Sequence, residues 1–309
     1  LRQRHGILRL RCELGGMKHL LACLAMLAAF NVTAQDWDAN NDVDQDGCVG
    51  VGDVLQILSV FGSCEPAWQC GDTLEYNNYW YGTVLIGDQC WFAENLRTAS
   101  YLNGDSIPAG LSNFEWGTTQ EGATAIFGEG GDNCTHLIGD FDACNNDTLS
   151  LDYFGRLYNH MAVIDDRGLC PTGWQVPSWS EFLILYEFVC SFGFACDQNQ
   201  YSDSVGVALK AQQGWAEFGS GQNGNGVDMF GFSALPGGRR YGQENGQTQF
   251  FGIFDAAGSQ CTFWSTTQQD PPNDNQSRVA QFHSYQTNLI DGANPRHMGY
   301  SVRCLKENE

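Results

Sequence analysis

Twelve residues near the front of the chain, Asp42-Val-Asp-Gln-Asp-Gly-Cys-Val-Gly-Val-Gly-Asp53, put carboxylates at positions 1, 3, 5 and 12 and glycine at position 6. This spacing suits a hard divalent cation, because alternating carboxylates converge on one side of a tight turn and supply a shell of oxygens. Asp42, Asp44, Asp46 and Asp53 would be the side-chain ligands, and Cys48 would offer its backbone carbonyl. Gly47 would permit the turn, and Gly50 would leave a place for water. Calcium (Ca2+) is the cofactor implied; an acidic surface loop without an ion is the plainer alternative. The apolar residues of Val54–Phe61 would form the helix that follows.

Thiols are the second chemical resource. Met17-Lys18-His19, the apolar run Leu20–Phe30 and Val32-Thr33-Ala34 read as a signal peptide over 17–34, cleaved after Ala34. Residues 1–16 precede the first plausible start methionine and read as upstream sequence translated through a misassigned start. No stretch beyond residue 35 is apolar for long enough to span a bilayer. The mature chain is expected to be secreted or at the cell surface, with the periplasm as an alternative. In such a compartment the eleven cysteines beyond residue 34 read as disulfide partners. Proximity suggests Cys48–Cys64, Cys70–Cys90, Cys134–Cys144 and Cys190–Cys196, with Cys170–Cys304 closing the large domain. That last bridge would contribute roughly 4–5 kcal/mol in the chain-entropy picture. Cys261 is left over, as a buried thiol, an intermolecular link or a reactive group.

Charge excludes one class of partner. The 309 residues carry 15 Lys/Arg against 36 Asp/Glu, and removing 1–34 would leave 10 against 35. So acidic a surface repels nucleic acid and anionic lipid. Catalytic signatures are missing as well: there is no Gly-x-Ser-x-Gly, no His-Glu-x-x-His and no phosphate-cradling glycine loop. The four histidines beyond residue 34, at 136, 160, 283 and 297, are not spaced as a metal pair and read as structural or surface residues.

The elements that must carry these groups divide at Glu65-Pro66-Ala67, giving a small segment 35–66 and a large domain 67–309. Residues 70–97 alternate as strands with a turn at Gly87-Asp88. Residues 100–150, rich in Gly, Asn and Asp, read as a long loop region pinned by Cys134–Cys144. Ser178-x-x-Glu181 ahead of an apolar run is a capping box that opens a helix burying Phe182, Leu185, Tyr186 and Val189. Nine Trp make the chain aromatic-rich; core packing is the plain reading for most, while exposed ones such as Trp116 or Trp215 could stack on sugars. Arg239 and Arg240, after the Pro236-Gly237-Gly238 turn, read as internal ion pairs or as an anion-binding, substrate-positioning group.

Four segments follow a recurring order: Cys-Pro-Thr-Gly-Trp-Gln-Val-Pro-Ser (170–178), Gly-Phe-Ser-Ala-Leu-Pro-Gly-Gly-Arg (231–239), Phe-Trp-Ser-Thr (263–266) and Gly-Tyr-Ser-Val-Arg-Cys (299–304). With Thr83–Leu96 and Tyr153–Val163 they resemble the Fibrobacter succinogenes major paralogous domain, found in secreted proteins of Bacteroidetes and without an established activity. The Val-Pro-Ser-x-x-Glu-Phe element is similar to one in formylglycine-generating enzymes, which implies an α+β, C-type-lectin-like fold with long disulfide-pinned loops. The copper-binding cysteine pair of those enzymes has no counterpart, since Cys304 would be bridged and Cys261 lacks a neighbouring thiol. C-type lectins hold calcium and sugar on a Pro-containing acidic loop; Asp270, Asn273, Asp274 and Asn275 stand in a comparable place and, with Arg239, form a candidate ligand loop. The 42–53 loop looks like the EF-hand variant of dockerins. Dockerins normally carry two such segments, so a lone copy argues against a cohesin partner.

The expectation is therefore a secreted, non-catalytic protein that binds a glycan or a cell-envelope protein, with a structural calcium site. An extracellular enzyme acting on polysaccharide or protein, and a structural envelope component, are the alternatives.

Overall fold

The computed structural model describes residues 50–60, 68–130, 146–196, 203–242, 252–269 and 275–307. The chain divides into two compact units, Leu1–Trp68 and Gln69–Glu309. In the first, helix α1 spans Val51–Val60 and begins three residues ahead of the expected Val54, with Asp53 in its first turn. The signal segment, the loop residues Asp42, Asp44, Asp46 and Cys48, and Cys64 lie outside the described residues.

The second unit is α+β. Its elements run β1 (Leu74–Tyr76), β2 (Tyr79–Tyr81), β3 (Thr83–Ile86), β4 (Gln89–Phe92), α2 (Asn113–Thr118), β5 (Thr124–Ile126), α3 (Asp147–Phe154), β6 (Arg156–Tyr158) and α4 (His160–Val163). There follow β7 (Trp174–Gln175), α5 (Trp179–Ser191), α6 (Val205–Leu209), β8 (Gly237–Arg240), β9 (Phe254–Ala257), β10 (Gln260–Gln268), β11 (Gln276–His283), β12 (Ile290–Pro295), β13 (Tyr300–Ser301) and β14 (Leu305–Lys306). A six-stranded sheet has the order β12-β11-β10-β13-β6-β5, and a four-stranded sheet the order β3-β4-β14-β7. β1–β2 and β8–β9 form separate hairpins. No helix among the described residues is long and apolar enough to cross a membrane.

Helix α5 shows how sequence becomes packing. Glu181 Oε2 accepts from the Ser178 amide at 2.6 Å and from its hydroxyl at 2.8 Å, completing the capping box. Phe182, Leu185, Tyr186 and Val189 then fall on one face and are buried against Trp91, Phe232, Phe263 and Phe282. Each such side chain contributes about 1.5–3 kcal/mol by leaving water.

Buried interlocks account for the recurring segments. Trp264 Nε1 donates to the Tyr158 carbonyl at 2.8 Å, tying β10 to β6. The Thr266 amide reaches the Pro177 carbonyl at 3.0 Å. Arg303 is fully buried between the rings of Phe232 and Phe263, 4.5 and 5.0 Å away, and donates to the Phe232 carbonyl and to Asn95 Oδ1.

The 100–150 stretch departs from the expected loop. Among its described residues, α2 is closed by a capping box between Ser112 and Glu115, and β5 pairs with β6. Trp116, Ala123, Ala125 and Phe127 belong to a second core with Phe154 and Phe254. Small alanines let the strand lie close to its neighbours, yet three residues are too few for a visible period. Cys134 and Cys144 lie outside the described residues. Trp116 and Trp215 are buried, so neither is a surface platform: Arg240 stacks on the first at 4.6 Å, and the second donates Nε1 to the Ala234 carbonyl at 3.0 Å.

Candidate functional site

Among the described residues, disulfides Cys70–Cys90, Cys170–Cys304 and Cys190–Cys196 brace the large unit. Cys261 is a buried free thiol, and burial pushes its pKa up to about 12, where it is inert. Of the acidic loop, Asp53 is described: it is buried, and its Oδ2 accepts the Gly50 amide at 2.6 Å. This hydrogen bond places the Asp53 carboxylate over the first backbone amides of α1.

The two arginines after the Gly237-Gly238 turn have different fates. Arg240 is buried and spent on structure. It pairs with Glu129 at 3.0 Å, donates to the Gly252 and Leu111 carbonyls and lies between Trp116 and Phe254. Arg239 instead lines a cleft of about 440 Å³ with Asp255, Gln260, His283 and Tyr285.

Two cross-strand pairs build this cleft. Arg239 stands opposite Asp255 in the β8–β9 hairpin, and Gln260 stands opposite His283 in β10–β11. Arg239 Nη2 donates to Asp255 Oδ2 at 3.0 Å and to the Tyr241 hydroxyl at 2.6 Å. Ala256, at the cleft wall, has φ of 64°, a left-handed conformation uncommon outside glycine. Tyr285 is 57% exposed and its ring lies 5.1 Å from that of His283. Burial lowers the His283 pKa to about 4, helped by Arg239 and Lys210, so the imidazole is neutral at pH 7. Neither of its ring nitrogens has a hydrogen-bond partner among the described residues.

A serine, a histidine and an aspartate line this one cleft, but they are not wired as a triad. Ser259 Oγ donates to the Ala256 carbonyl at 3.1 Å, and Asp255 is held by Arg239 and Tyr241. Nucleophile, base and orienting carboxylate would need to touch in sequence.

A second cavity of about 510 Å³ is lined by Gln175, Ser178, Glu181, Thr266 and Glu307, among others. Its principal carboxylate is already engaged, because Glu181 caps α5 and accepts from Gln175 Nε2 at 2.6 Å. That cavity is part of the helix cap; the Arg239 cleft is the better site.

Of the expected ligand loop, Asn275 and Arg239 are described. Asp270, Asn273 and Asp274 lie outside the described residues. Asn275 precedes β11 and gives its carbonyl to the Arg296 amide at 3.1 Å, whereas His283, Arg239's neighbour in the cleft, ends the same strand. Sequence reasoning does not single out Asp255, Gln260 or Tyr285, and it reads His283 as a structural or surface residue. The available signal was the Gly258-Ser259 turn between β9 and β10 and the two-residue spacing of His283 and Tyr285.

The sequence matches the Fibrobacter succinogenes major domain over residues 84–306. The chain belongs to that family. Arg239, Asp255, Gln260, His283 and Tyr285 fall inside the major domain, and the 42–53 loop falls outside it. No curated protein and no solved structure matches the chain.

Proposed function

We propose that this protein is a secreted or cell-surface, non-catalytic binding protein whose C-type-lectin-like domain takes a glycan in the Arg239–Tyr285 cleft. The observation that carries the reading is an exposed tyrosine ring beside a neutral imidazole and a guanidinium in one concavity. Such a set matches a sugar, which offers an apolar ring face for stacking and hydroxyls for planar polar groups. The unwired Ser259, His283 and Asp255 argue against hydrolysis in the same cleft. In this reading the 42–53 loop holds calcium through Asp42, Asp44, Asp46, Asp53 and the Cys48 carbonyl, stiffening the front segment.

The test is glycan-array screening of the full chain followed by calorimetry, with calcium present. Binding of at least one glycan class, weakened tenfold or more by Tyr285→Ala, is expected. A blank array, or affinity indifferent to Tyr285, refutes the assignment. Calcium titration of the parent and of Asp42→Asn/Asp44→Asn tests the loop separately, with heat expected from the parent alone.

A further inference from the structure

The cleft runs against the charge of the whole. In a chain of 15 Lys/Arg and 36 Asp/Glu, the described residues lining the cleft carry one carboxylate, Asp255, beside Arg239, and buried Lys210 lies beneath His283. Lys210 is buried, with Nζ donating to the carbonyls of His283 at 3.1 Å and Gln286 at 3.0 Å and lying 4.9 Å over Trp215. Its charge is held beneath the histidine that lines the cleft. Asp255 engages Arg239 through Nη2 alone. Nη1 has no hydrogen-bond partner among the described residues, and Nε is buried without one. A guanidinium with unspent donors in a partly desolvated site favours a planar anion, above all a carboxylate. The neutral His283 brings no further charge, but offers a donor and an acceptor for hydroxyls.

We infer that the cleft selects an acidic saccharide: a uronic-acid residue stacked on Tyr285, its carboxylate received by Arg239. This rests on the cleft being a sugar site and adds the chemical class of the sugar. A neutral sugar would leave the spare donors of Arg239 to water. An acidic peptide could satisfy the arginine, yet it would give Tyr285 no ring face and His283 no hydroxyls.

Calorimetry on the full chain decides it, using trisaccharides of galacturonate and of glucuronate, the methyl ester of each, and triglutamate. At least one acid is expected to bind about ten- to a hundredfold tighter than its ester, the range for a charge-assisted contact. Arg239→Gln should bring acid down to the ester's affinity, Arg239→Lys should keep part of the preference, and Tyr285→Ala should weaken both forms alike. Equal binding of acid and ester overturns the charge selection but leaves the sugar site standing. Triglutamate binding as tightly as the acid overturns the saccharide assignment. Absence of binding by both acids overturns the inference, and a blank array besides overturns the sugar site too. Should Arg239→Gln melt well below the parent, the acid–ester comparison on the parent chain and the exposed Tyr285 variant still decide.

Discussion

Acid should loosen this fold through His160. The ring is fully buried, 4.9 Å from Trp264, with Nε2 3.0 Å from the Ser265 carbonyl and Nδ1 3.1 Å from the Ser277 hydroxyl. A carbonyl can only accept, so Nε2 carries the proton and Nδ1 accepts from Ser277: the neutral tautomer satisfies both contacts. Burial lowers the pKa from 6.5 to about 4, and the Arg296 charge adds to the shift. Between those values the unfolded chain binds a proton that the folded chain does not, so stability rises with pH across the window and falls on acidification. The loss is about 2 kcal/mol at pH 5 and about 3 kcal/mol at pH 4, relative to neutral pH. Urea unfolding followed by tryptophan fluorescence at pH 7, 5 and 4 measures it. His160→Gln removes the titrating group while keeping a donor and an acceptor. Its stability at pH 7 should drop, but its further loss on acidification should be smaller than the parent's by the amounts above. The two proteins losing the same stability between pH 7 and pH 4 would refute the reasoning.

Other perturbations test other parts of the frame. Replacing Cys170 and Cys304 together by serine opens a loop of sequence separation 134 and should cost about 3–5 kcal/mol in urea unfolding; an unchanged midpoint would show the bridge idle. Gly155 ends α3 with φ 74° and ψ −160°, and an added Cβ would lie 2.9 Å from both Asn95 Cβ and the Leu96 carbonyl oxygen. Gly155→Ala should therefore cost about 2 kcal/mol or more, seen as a lower melting temperature. Cys261 should resist iodoacetamide in the folded protein and be labelled in denaturant, which peptide mapping by mass spectrometry reads directly; labelling of the native protein would contradict its burial.

What could be read from sequence was what is written locally. The Ser178–Glu181 box announced α5 and its buried face, because capping and helical spacing sit within a dozen residues. The alternation of 79–92 announced β2 to β4 for the same reason. The second core around Trp116 and Phe127 was not legible, since α2 and β5 are too short to display a period and gain their stability from distant Phe254. The binding cleft was less legible still. Arg239 stood out as a cation in an acidic chain, but its companions come from β9, β10, the end of β11 and the turn after it, and the packing of two separate strand pairs brings them together. Trp116 and Trp215 looked available for ligands because an indole's composition does not reveal which side of a sheet it occupies.

The placement of β14 has a consequence for how the polypeptide folds as it is made. β14 sits between β4 and β7, and Leu305 faces Trp91 on one side and Gln175 on the other. A nascent chain from which Leu305 has not yet emerged holds two unpaired edges, and that sheet can knit only once β14 is available. Premature stop codons anywhere upstream of Leu305 should therefore yield open, association-prone products rather than slightly shortened natives.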